Sequence, residues 1–570
     1  MPGRKVFRLI LIKPSHYDDD GYVIQWVRSS IPSNTLAALY GLALDAASRQ
    51  VLGPDVEVRL DAHDETNTRI RPKRLAELIR SSSGGGMVAL VGVQSNQYPR
   101  AMDLARQLRA EGVQVCIGGF HVSGCLAMLP GVPPDLQEAL ALGVTLYAGE
   151  LEGRMDGLLQ DAYRREMKPL YNYMKDMPDL GGSPVPFLPA EVIRRRTGSK
   201  TSFDAGRGCP FQCSFCTIIN VQGRKSRFRS PDDVEHLVRV NAAQGVQNFF
   251  ISDDNFARNK TWEPILDRLI HLREAEGFTI RLIIQVDTLS HKVPGLIQKA
   301  GRAGVNRVFI GLENINPESL VGAQKRQNKI EEYRAMLDAW HSIGALTLAG
   351  YILGFPADTP ESILRDIGII QRELPIDLLE FFILTPLPGS QDHRALYDRG
   401  VAMDSDMNRY DLAHVTTDHQ KMSRQEWQDI YHKAWDAYYT PGHVETLIRQ
   451  GKAWGFPPRH MMGKLLAFHA CARIEQVHPL EGGLFRLKYR LDRRPSMPRE
   501  GWARFYTRYL WDIVRKHARF LVFVLPYLRA LYRVQMGRSK AGMFPVEPIL
   551  PEAGTPPVLH GKTRLAVGHS

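Results

Sequence analysis

Cys209, Cys213 and Cys216 lie close together in the chain, with the spacing C-x3-C-x2-C. Three thiolates on one short loop can ligate three irons of a [4Fe–4S] cluster, because iron–sulfur centres take cysteine ligands and a short loop gathers them at little entropic cost. The fourth iron is then left open for chemistry, as in other metal sites with a vacant position. Zinc is the alternative, but it usually takes paired C-x2-C units and a fourth Cys or His. Residues 195–235 contain no other Cys and no His.

The cysteine segment resembles the signature of the radical S-adenosylmethionine (radical SAM) superfamily, in which an aromatic residue, here Phe215, precedes the last cysteine. The resemblance extends over about residues 200–400. It implies that the amino and carboxylate groups of SAM chelate the open iron, and that one-electron reduction cleaves SAM to methionine and a 5′-deoxyadenosyl radical. It also implies an external one-electron reductant such as flavodoxin or ferredoxin.

Five residues downstream match SAM-binding positions of this superfamily. Asp253 and Asp254 stand where the family has the Gly-Gly-Glu region that receives the SAM amino group, although the glycines are absent here. Glu313 matches a position that commonly binds the SAM ribose or amino group, and Gly350 and Gly354 belong to a stretch close to the G-x-I-x-G motif beside adenine. The alternative for each residue is an ordinary solvated or capping position in a loop.

Six strands separated by helical segments are predicted to carry these residues. They are Thr201–Asp204, Asn248–Ile251, Arg281–Val286, Arg307–Ile310, Leu348–Leu353 and Leu379–Leu384. Six βα units fit the partial (β/α)6 barrel of radical SAM enzymes, and in parallel barrels the chemistry gathers at the carboxyl ends of the strands.

Residues 1–170 alternate between strand-like and helical patterns, which predicts a doubly wound parallel sheet with its ligand site outside the carboxyl ends of the strands. This Rossmann-like region resembles the cobalamin-binding domain that precedes the radical SAM domain in one large subgroup. The resemblance implies that cobalamin binds to the strand-end loops. The candidate residues in them are Ser95, Gly118, Gly119, His121, Gly149 and Glu150. The alternative is a domain that has lost the cofactor or never held it.

Neither His16 nor His63 stands in a full D-x-H-x-x-G motif, which supplies the axial histidine to cobalt in many cobalamin domains. We interpret both histidines as solvated loop residues. The subgroup often binds cobalamin without a protein histidine on cobalt, which suits methyl transfer.

The length of 570 residues predicts three domains, which we place at residues 1–170, 201–400 and 401–570, with residues 171–200 as the linker after the first. Hydrophobic residues at 44% and charged residues at 24% are typical of a soluble globular protein, and six cysteines suit a reducing compartment. The first residues show no secretion signal. We therefore expect a cytoplasmic protein.

Residues 485–540 carry 15 Lys or Arg against 3 Asp or Glu, which equals the net charge of +12 of the whole chain. Aromatic residues interleave with these cations. Such a segment suits a helix that lies on anionic lipid, and peripheral attachment to the inner face of the membrane is one hypothesis. The alternatives are a helix packed on the barrel with a basic outer face, and an acidic partner such as nucleic acid, which we consider the weakest.

The resemblance is greatest to cobalamin-dependent (class B) radical SAM methyltransferases, including hopanoid C-methylases, and to anaerobic magnesium-protoporphyrin ester cyclases. It implies methylation of an unactivated carbon on an apolar or lipid-like small molecule, through a 5′-deoxyadenosyl radical and methylcobalamin. The alternatives are a cyclase or oxidase of the protoporphyrin ester type, and a cobalamin or iron–sulfur sensor without turnover. The SAM-site loops argue against a sensor, since a sensor does not need them.

Overall fold

A computed structural model of the chain describes residues 4–539, together with 542 and 544. Parts of the predicted C-terminal region, including Lys540 of the basic segment, lie outside the described residues. The first region contains β1 Lys5–Lys13, β2 Gln25–Ser29, α1 Asn34–Ser48, β3 Val56–Asp64, α2 Pro72–Arg80, β4 Gly86–Leu90, α3 Tyr98–Ala110, β5 Gln114–Gly118, α4 Phe120–Met128, α5 Pro134–Ala141, β6 Thr145–Ala148, α6 Met155–Arg164, β7 Leu170–Asn172 and α7 Ala190–Ile193.

Six of these strands form a fully parallel sheet in the order β3-β1-β4-β5-β6-β7. Alternate residues of β1 supply the two faces of the sheet: Leu9 and Leu11 belong to one hydrophobic core, Ile10 and Ile12 to the other. The chain passes from β1 to β3 on one side and then to β4 on the other side of β1, so the strand order reverses at β1. Loops at the carboxyl ends of these strands can therefore hold a ligand.

The second region is a curved parallel sheet in the order β15-β14-β13-β12-β11-β8. Its elements are β8 Lys200–Phe203, β9 Gly206–Arg207, α8 Ile218–Val221, β10 Arg227–Phe228, α9 Pro231–Ala242, β11 Asn248–Ile251, α10 Trp262–Glu274, β12 Arg281–Val286, α11 Leu296–Ala303, β13 Val305–Glu313, α12 Pro317–Gly322, α13 Tyr333–Ser342, β14 Leu346–Leu353, α14 Pro360–Glu373, β15 Leu378–Ile383 and α15 Gln391–Asp398. All six predicted strands are present.

The third region contains α16 Arg424–Tyr438, α17 Pro441–Ala453, α18 Pro458–Ala470, β16 Gly483–Leu487, α19 Trp502–Phe523 and α20 Leu525–Gln535. It covers the open edge of β15, where the Leu379 N–H donates to the Tyr439 hydroxyl (3.2 Å) and that hydroxyl donates to the Leu379 carbonyl (2.9 Å). It also reaches back to the first region, since β16 pairs antiparallel with β2.

The predicted fold class is confirmed: a doubly wound sheet, a partial six-stranded barrel and a C-terminal helical region. None of the helices in the described part of the chain is both long and apolar enough to cross a bilayer.

Candidate active site

The three cysteines lie in the loop after β9, close to the carboxyl end of β8. Backbone hydrogen bonds fix this loop to distant parts of the barrel. The Cys209 N–H donates to the Gly223 carbonyl (3.2 Å), and the Ser214 N–H donates to the Ala323 carbonyl (3.1 Å). The loop is therefore held in place by the barrel fold as well as by its own turns.

All three thiols are largely shielded from solvent. Burial raises the pKa of Cys209 to about 11 and that of Cys216 to about 12, and it also raises the pKa of Cys213. A bound metal would favour the thiolate form of these side chains, because metal ligation displaces the thiol protons. Within the described residues, no three His, Cys, Asp or Glu side chains converge so as to hold one metal ion. A cubane cluster does not require such convergence, because each thiolate takes its own iron, and the three-thiol loop fits that group.

Asp253 and Asp254 follow β11, yet their environments differ. The Asp253 carboxylate is buried and accepts hydrogen bonds from the backbone N–H groups of Ala205 (2.7 Å) and Gly206 (2.9 Å) and from the Asn259 amide (3.0 Å). Its contacts therefore position the start of the cysteine loop. Asp254 carries one of the charges that act on Cys209, and burial raises its pKa to about 7.

Glu313 ends β13 in a left-handed conformation (φ 64°), where the pairing of β13 with β14 shifts register. Its carboxylate forms an ion pair with the ammonium group of Lys325, which is buried and also donates to the Gly311 carbonyl (2.9 Å). The charge of Lys325 acts on Cys209 and Cys213. Lys325 is not predicted from the sequence, because no motif marks it. A lone lysine after a short helix gives no signal that could have found it.

Phe215 packs its ring edge-to-face on Phe355, with 6.2 Å between the ring centroids. Gly354 has a φ of 104°, and a Cβ at this position would lie 2.0 Å from the Trp427 ring. Only glycine allows the indole of Trp427 to pack there. Gly350 lies on the inside of the barrel, where a Cβ would meet the Phe382 ring at 3.0 Å.

Glu380 is a second residue that no motif marks. It is in register with Gly350, so its side chain shares the inner face of the barrel with that of Phe382. Glu380 is 1% exposed, and no hydrogen bond to its carboxylate is recorded within the described residues, where its Oε2 is an unsatisfied buried atom. Burial alone raises its pKa to about 8. A protonated carboxyl group inside the barrel can donate a hydrogen bond to a bound molecule.

The first region contains a mostly apolar cavity of about 140 Å³ between its sheet and the helices α1 and α6. Four of the predicted cobalamin residues line it: Gly118, Gly119, Gly149 and Glu150. Gly119 has a φ of 148°, and a Cβ there would lie 2.2 Å from the Val93 backbone nitrogen. Position 119 therefore needs glycine, because its backbone closely approaches the loop that follows β4. Glycine loops and apolar side chains leave this slot open to an apolar ring of a cofactor.

Ser95 and His121 do not line this cavity. His121 is fully buried, its Nε2 lies 2.8 Å from the Asp135 carboxylate, and its Nδ1 lies 3.2 Å from the Ser95 hydroxyl. These contacts connect the loop after β4 to α4 and α5, outside the cavity.

The interpretation of His16 as a solvated residue was wrong. It is 3% exposed, and its Nε2 lies 2.7 Å from the carboxylate of Glu481 in the third region. His63 is half-buried rather than solvated. Sequence could not place His16, because its partner lies more than four hundred positions away in the chain.

Arg207 connects the cavity to the cysteine loop. Its guanidinium group is buried and donates to the carboxylates of Glu150 (2.8 Å), Glu152 (2.6 Å) and Asp204 (3.0 Å). Arg227 pairs with Glu150 as well. Glu150 thus joins the first region to the barrel through two arginines.

Residues 204–368 match the family described as the radical SAM superfamily. Among the similar curated proteins is bacteriochlorophyllide d C-8(2)-methyltransferase of Chlorobaculum tepidum, 27% identical over 57% of this chain and 72% of the relative. Another is hopanoid C-2 methylase of Rhodopseudomonas palustris, 27% identical over 51% of this chain and 54% of the relative.

The fold resembles that of the radical SAM methyltransferase TsrM from Kitasatospora setae, solved with cobalamin and a [4Fe–4S] cluster bound. The TM-score is 0.56 at 15% identity, over 80% of this chain and 99% of that one. The similarity to this neighbour is one of fold, and it extends over the doubly wound sheet as well as the barrel because it covers 80% of the chain. Residues 204–368 thus form a radical SAM domain, and the chain is similar to methyltransferases that contain one, as its sequence predicts.

Proposed function

We propose that this enzyme methylates an unactivated carbon of an apolar small molecule, using a [4Fe–4S] cluster, SAM and cobalamin. The observation that carries the proposal is the direct connection between the cysteine loop and the glycine-lined cavity through Arg207. Relatives named as methylases act on a bacteriochlorophyllide and on hopanoids, according to their names. These names support a large and mostly apolar substrate.

Cys209, Cys213 and Cys216 are the proposed cluster ligands. Lys325 and Asp254 place one cation and one acid beside the thiols. This pair complements the carboxylate and amino groups of SAM, so we assign these two residues to its methionine end. Phe215, Gly350 and Gly354 then face the nucleoside end. Glu313, the ion-pair partner of Lys325, is the proposed contact to the ribose or amino group of SAM, and Asp253 positions the loop.

Gly118, Gly119, Gly149 and Glu150 are the proposed cobalamin contacts, and Ser95 and His121 hold their loops in position. When bound, the cluster with SAM supplies a carbon-centred radical and cobalamin supplies a methyl group. The chain itself orients the bound molecules and keeps water out, with Phe215, Phe355 and Phe382 forming the apolar wall beside the cysteine loop. A one-electron reductant of the flavodoxin or ferredoxin type is the proposed electron source.

Filling the cavity provides the test. Ala38 on α1 is 5% exposed and lines the cavity, so Ala38→Phe is expected to exclude cobalamin while leaving cluster assembly and SAM cleavage intact. Anaerobically reconstituted protein would be assayed for bound cobalamin, for 5′-deoxyadenosine, and for transfer of a deuterated methyl group from SAM into apolar metabolites of a deletion strain. Methyl transfer should fall to background in the variant.

Ala47→Phe is the matched control, because Ala47 is on the same helix but does not line the cavity. It should bind cobalamin as the parent does. Normal cobalamin content in Ala38→Phe would contradict the assignment of the cavity. Oxidised but unlabelled products in the parent would favour the cyclase alternative.

We also propose that α19 and α20 lie on an anionic membrane. Phe505 is the only fully buried residue of α19. Most of this helix is exposed, although Phe523 at its end packs against His469 of α18. The two helices expose a row of apolar side chains at intervals of three, four or seven residues, the apolar stripe, in which each side chain is 41% to 68% exposed. It consists of Trp502, Tyr506, Leu510, Val514, Leu521, Leu525, Leu528 and Tyr532. Apolar patches of this extent mark interaction sites.

Exposed cations flank the apolar stripe: Arg504, Arg515, Arg519 and Arg529. Apolar residues on one face with arginines beside them are typical of interfacial helices, and each basic residue near anionic lipid contributes about 1 kcal/mol. A membrane surface would also give the enzyme access to a lipid-like substrate.

Leu510→Glu, in the centre of the stripe, is expected to reduce binding to anionic vesicles several-fold, because a carboxylate replaces an apolar contact and is repelled by the lipid. Co-sedimentation with phosphatidylglycerol vesicles and with phosphatidylcholine vesicles, at low and high salt, measures the effect. Leu44→Glu, at a 42% exposed position on α1, is the control and should bind normally. Equal recovery of the parent in the supernatant with both vesicle types at low salt would contradict the proposal.

A further inference from the structure

Four basic residues gather at the amino end of the barrel, opposite the cysteine loop, and we call them the cationic cluster. Lys200 begins β8, and Arg307 lies near the start of β13. They alternate along their strands with Phe203 and Val308, which pack in the outer core, so both point into the barrel. Lys464 comes from α18, and Arg196 precedes β8. Their charges act on one another: Lys200 is affected by Arg307 and Arg196, and Lys464 by Arg307 and Lys200.

Acidic partners are scarce here. Within the described residues, no hydrogen bond contributes to the electrostatics of the Lys200, Arg307 or Lys464 side chain. Asp377 is the one acid that acts on Lys464. Its Oδ2 accepts from the Thr347 N–H (2.8 Å) and lies 2.9 Å from His341, whereas its Oδ1 has no hydrogen-bond partner among the described residues.

Arg196 is the most buried member of the cluster, at 0% exposure. One of its nitrogens, Nη2, lies 3.2 Å from the Asp64 carboxylate. Its Nε and Nη1 have no hydrogen-bond partner among the described residues. A fully buried guanidinium group with two unused donors is rare, because each unsatisfied donor loses its hydration without compensation.

Burial and repulsion weaken the charged state of the cluster. The pKa of Lys200 is lowered to about 8 and that of Lys464 to about 7, first by burial and then by the neighbouring cations, and burial lowers the pKa of Arg307. Proteins seldom keep partly buried cations of one sign together without a counter-charge. An oxyanion would supply that charge and accept the unused N–H groups.

We propose that Arg196, Lys200, Arg307 and Lys464 form a binding site for a phosphate group. The site is separate from the proposed cluster and cobalamin sites and does not depend on methyl transfer. The phosphate can belong to a soluble molecule or to a lipid headgroup. The second source rests on the proposed membrane contact of α19 and α20. Lys464 is on α18, which packs against α20, and the Tyr527 hydroxyl of α20 lies 2.8 Å from His469 of α18.

Inorganic phosphate is the probe for the test. Full-length reconstituted protein is melted in Tris chloride buffer with increasing phosphate, against sodium chloride of equal ionic strength. The parent is expected to show a saturable rise in melting temperature. Without phosphate, Lys464→Met should have a higher melting temperature than the parent, since repulsion between the cations is relieved. The phosphate concentration that gives half of the stabilisation should be about tenfold higher, because one charge-assisted hydrogen bond is lost.

Lys433→Met, which removes an exposed lysine on α16, should keep the parental response, and Lys464→Arg should keep it as well. A parent that responds equally to phosphate and chloride would overturn the proposal, as would a Lys464→Met variant with an unchanged phosphate response. Short-chain phosphatidylglycerol, added below its micelle concentration, separates the sources. If phosphatidylglycerol half-saturates at a lower concentration than phosphate, the site is assigned to a lipid headgroup. If its half-saturating concentration is equal or higher, the site is assigned to a soluble phosphate.

Discussion

Replacement of Cys209, Cys213 and Cys216 by alanine is expected to abolish iron–sulfur cluster assembly and SAM cleavage together. The reason is that the loop supplies one thiolate to each of three irons, and the described residues offer no other group of metal ligands nearby. Iron content, the charge-transfer absorption of the reconstituted protein and the formation of 5′-deoxyadenosine under reductant measure the two losses.

Cys125→Ala is the control for the loss of a thiol, because Cys125 is buried in α4, in the core of the first region. This variant should assemble the cluster normally. Four irons and 5′-deoxyadenosine in the triple variant would falsify the assignment of the loop. Cobalamin binding should survive in the triple variant, since the cavity is formed by another region.

Arg207→Met is expected to destabilise the protein by about 3 to 5 kcal/mol, the usual result of removing one member of a buried ion pair. Asp204, Glu150 and Glu152 would lose their shared cation, and burial disfavours uncompensated carboxylates. Because the same group joins the cavity to the cysteine loop, the variant should also bind less cobalamin. The apparent melting temperature and the cobalamin content per protein measure both effects.

Arg227→Met provides the comparison, since Arg227 pairs with Glu150 and leaves the contacts of Arg207 to Glu152 and Asp204 in place. Its effect should be clearly smaller. Adding Glu152→Gln to Arg207→Met should recover part of the lost stability, because one uncompensated carboxylate is removed. If Arg207→Met melts at the same temperature as the parent, the ion pairs of Arg207 do not hold the first region and the barrel together.

Several features of the fold were predictable because they depend on local patterns. The six strands of the barrel and the alternating elements of the first region follow from hydrophobic periodicity, and their boundaries agree to within a few residues. The sheet of the first region extends to Asn172, into the segment predicted to be a linker, because a strand of three residues leaves too short a pattern to recognise.

Other features depend on partners that are distant in the chain. Asp253 matches a SAM-binding position, but its carboxylate is used by backbone N–H groups nearly fifty residues earlier. His16 stands in a loop rich in acidic residues, but folding brings it to Glu481. Whether a polar side chain meets a ligand or another part of the protein is decided by packing, which local spacing does not describe.

The sequence by itself predicted the radical SAM domain and the three cysteines proposed to hold its cluster, because cysteine spacing is a local property of one short loop. Tertiary structure alone decided which groups surround that chemistry. It placed Lys325 beside the thiols, left the Glu380 carboxyl group unpartnered inside the barrel, and joined Glu150 to two arginines of another region. It also left the apolar stripe exposed. The physical reason is that burial and pairing energies depend on distances in space, and residues far apart in sequence set those distances.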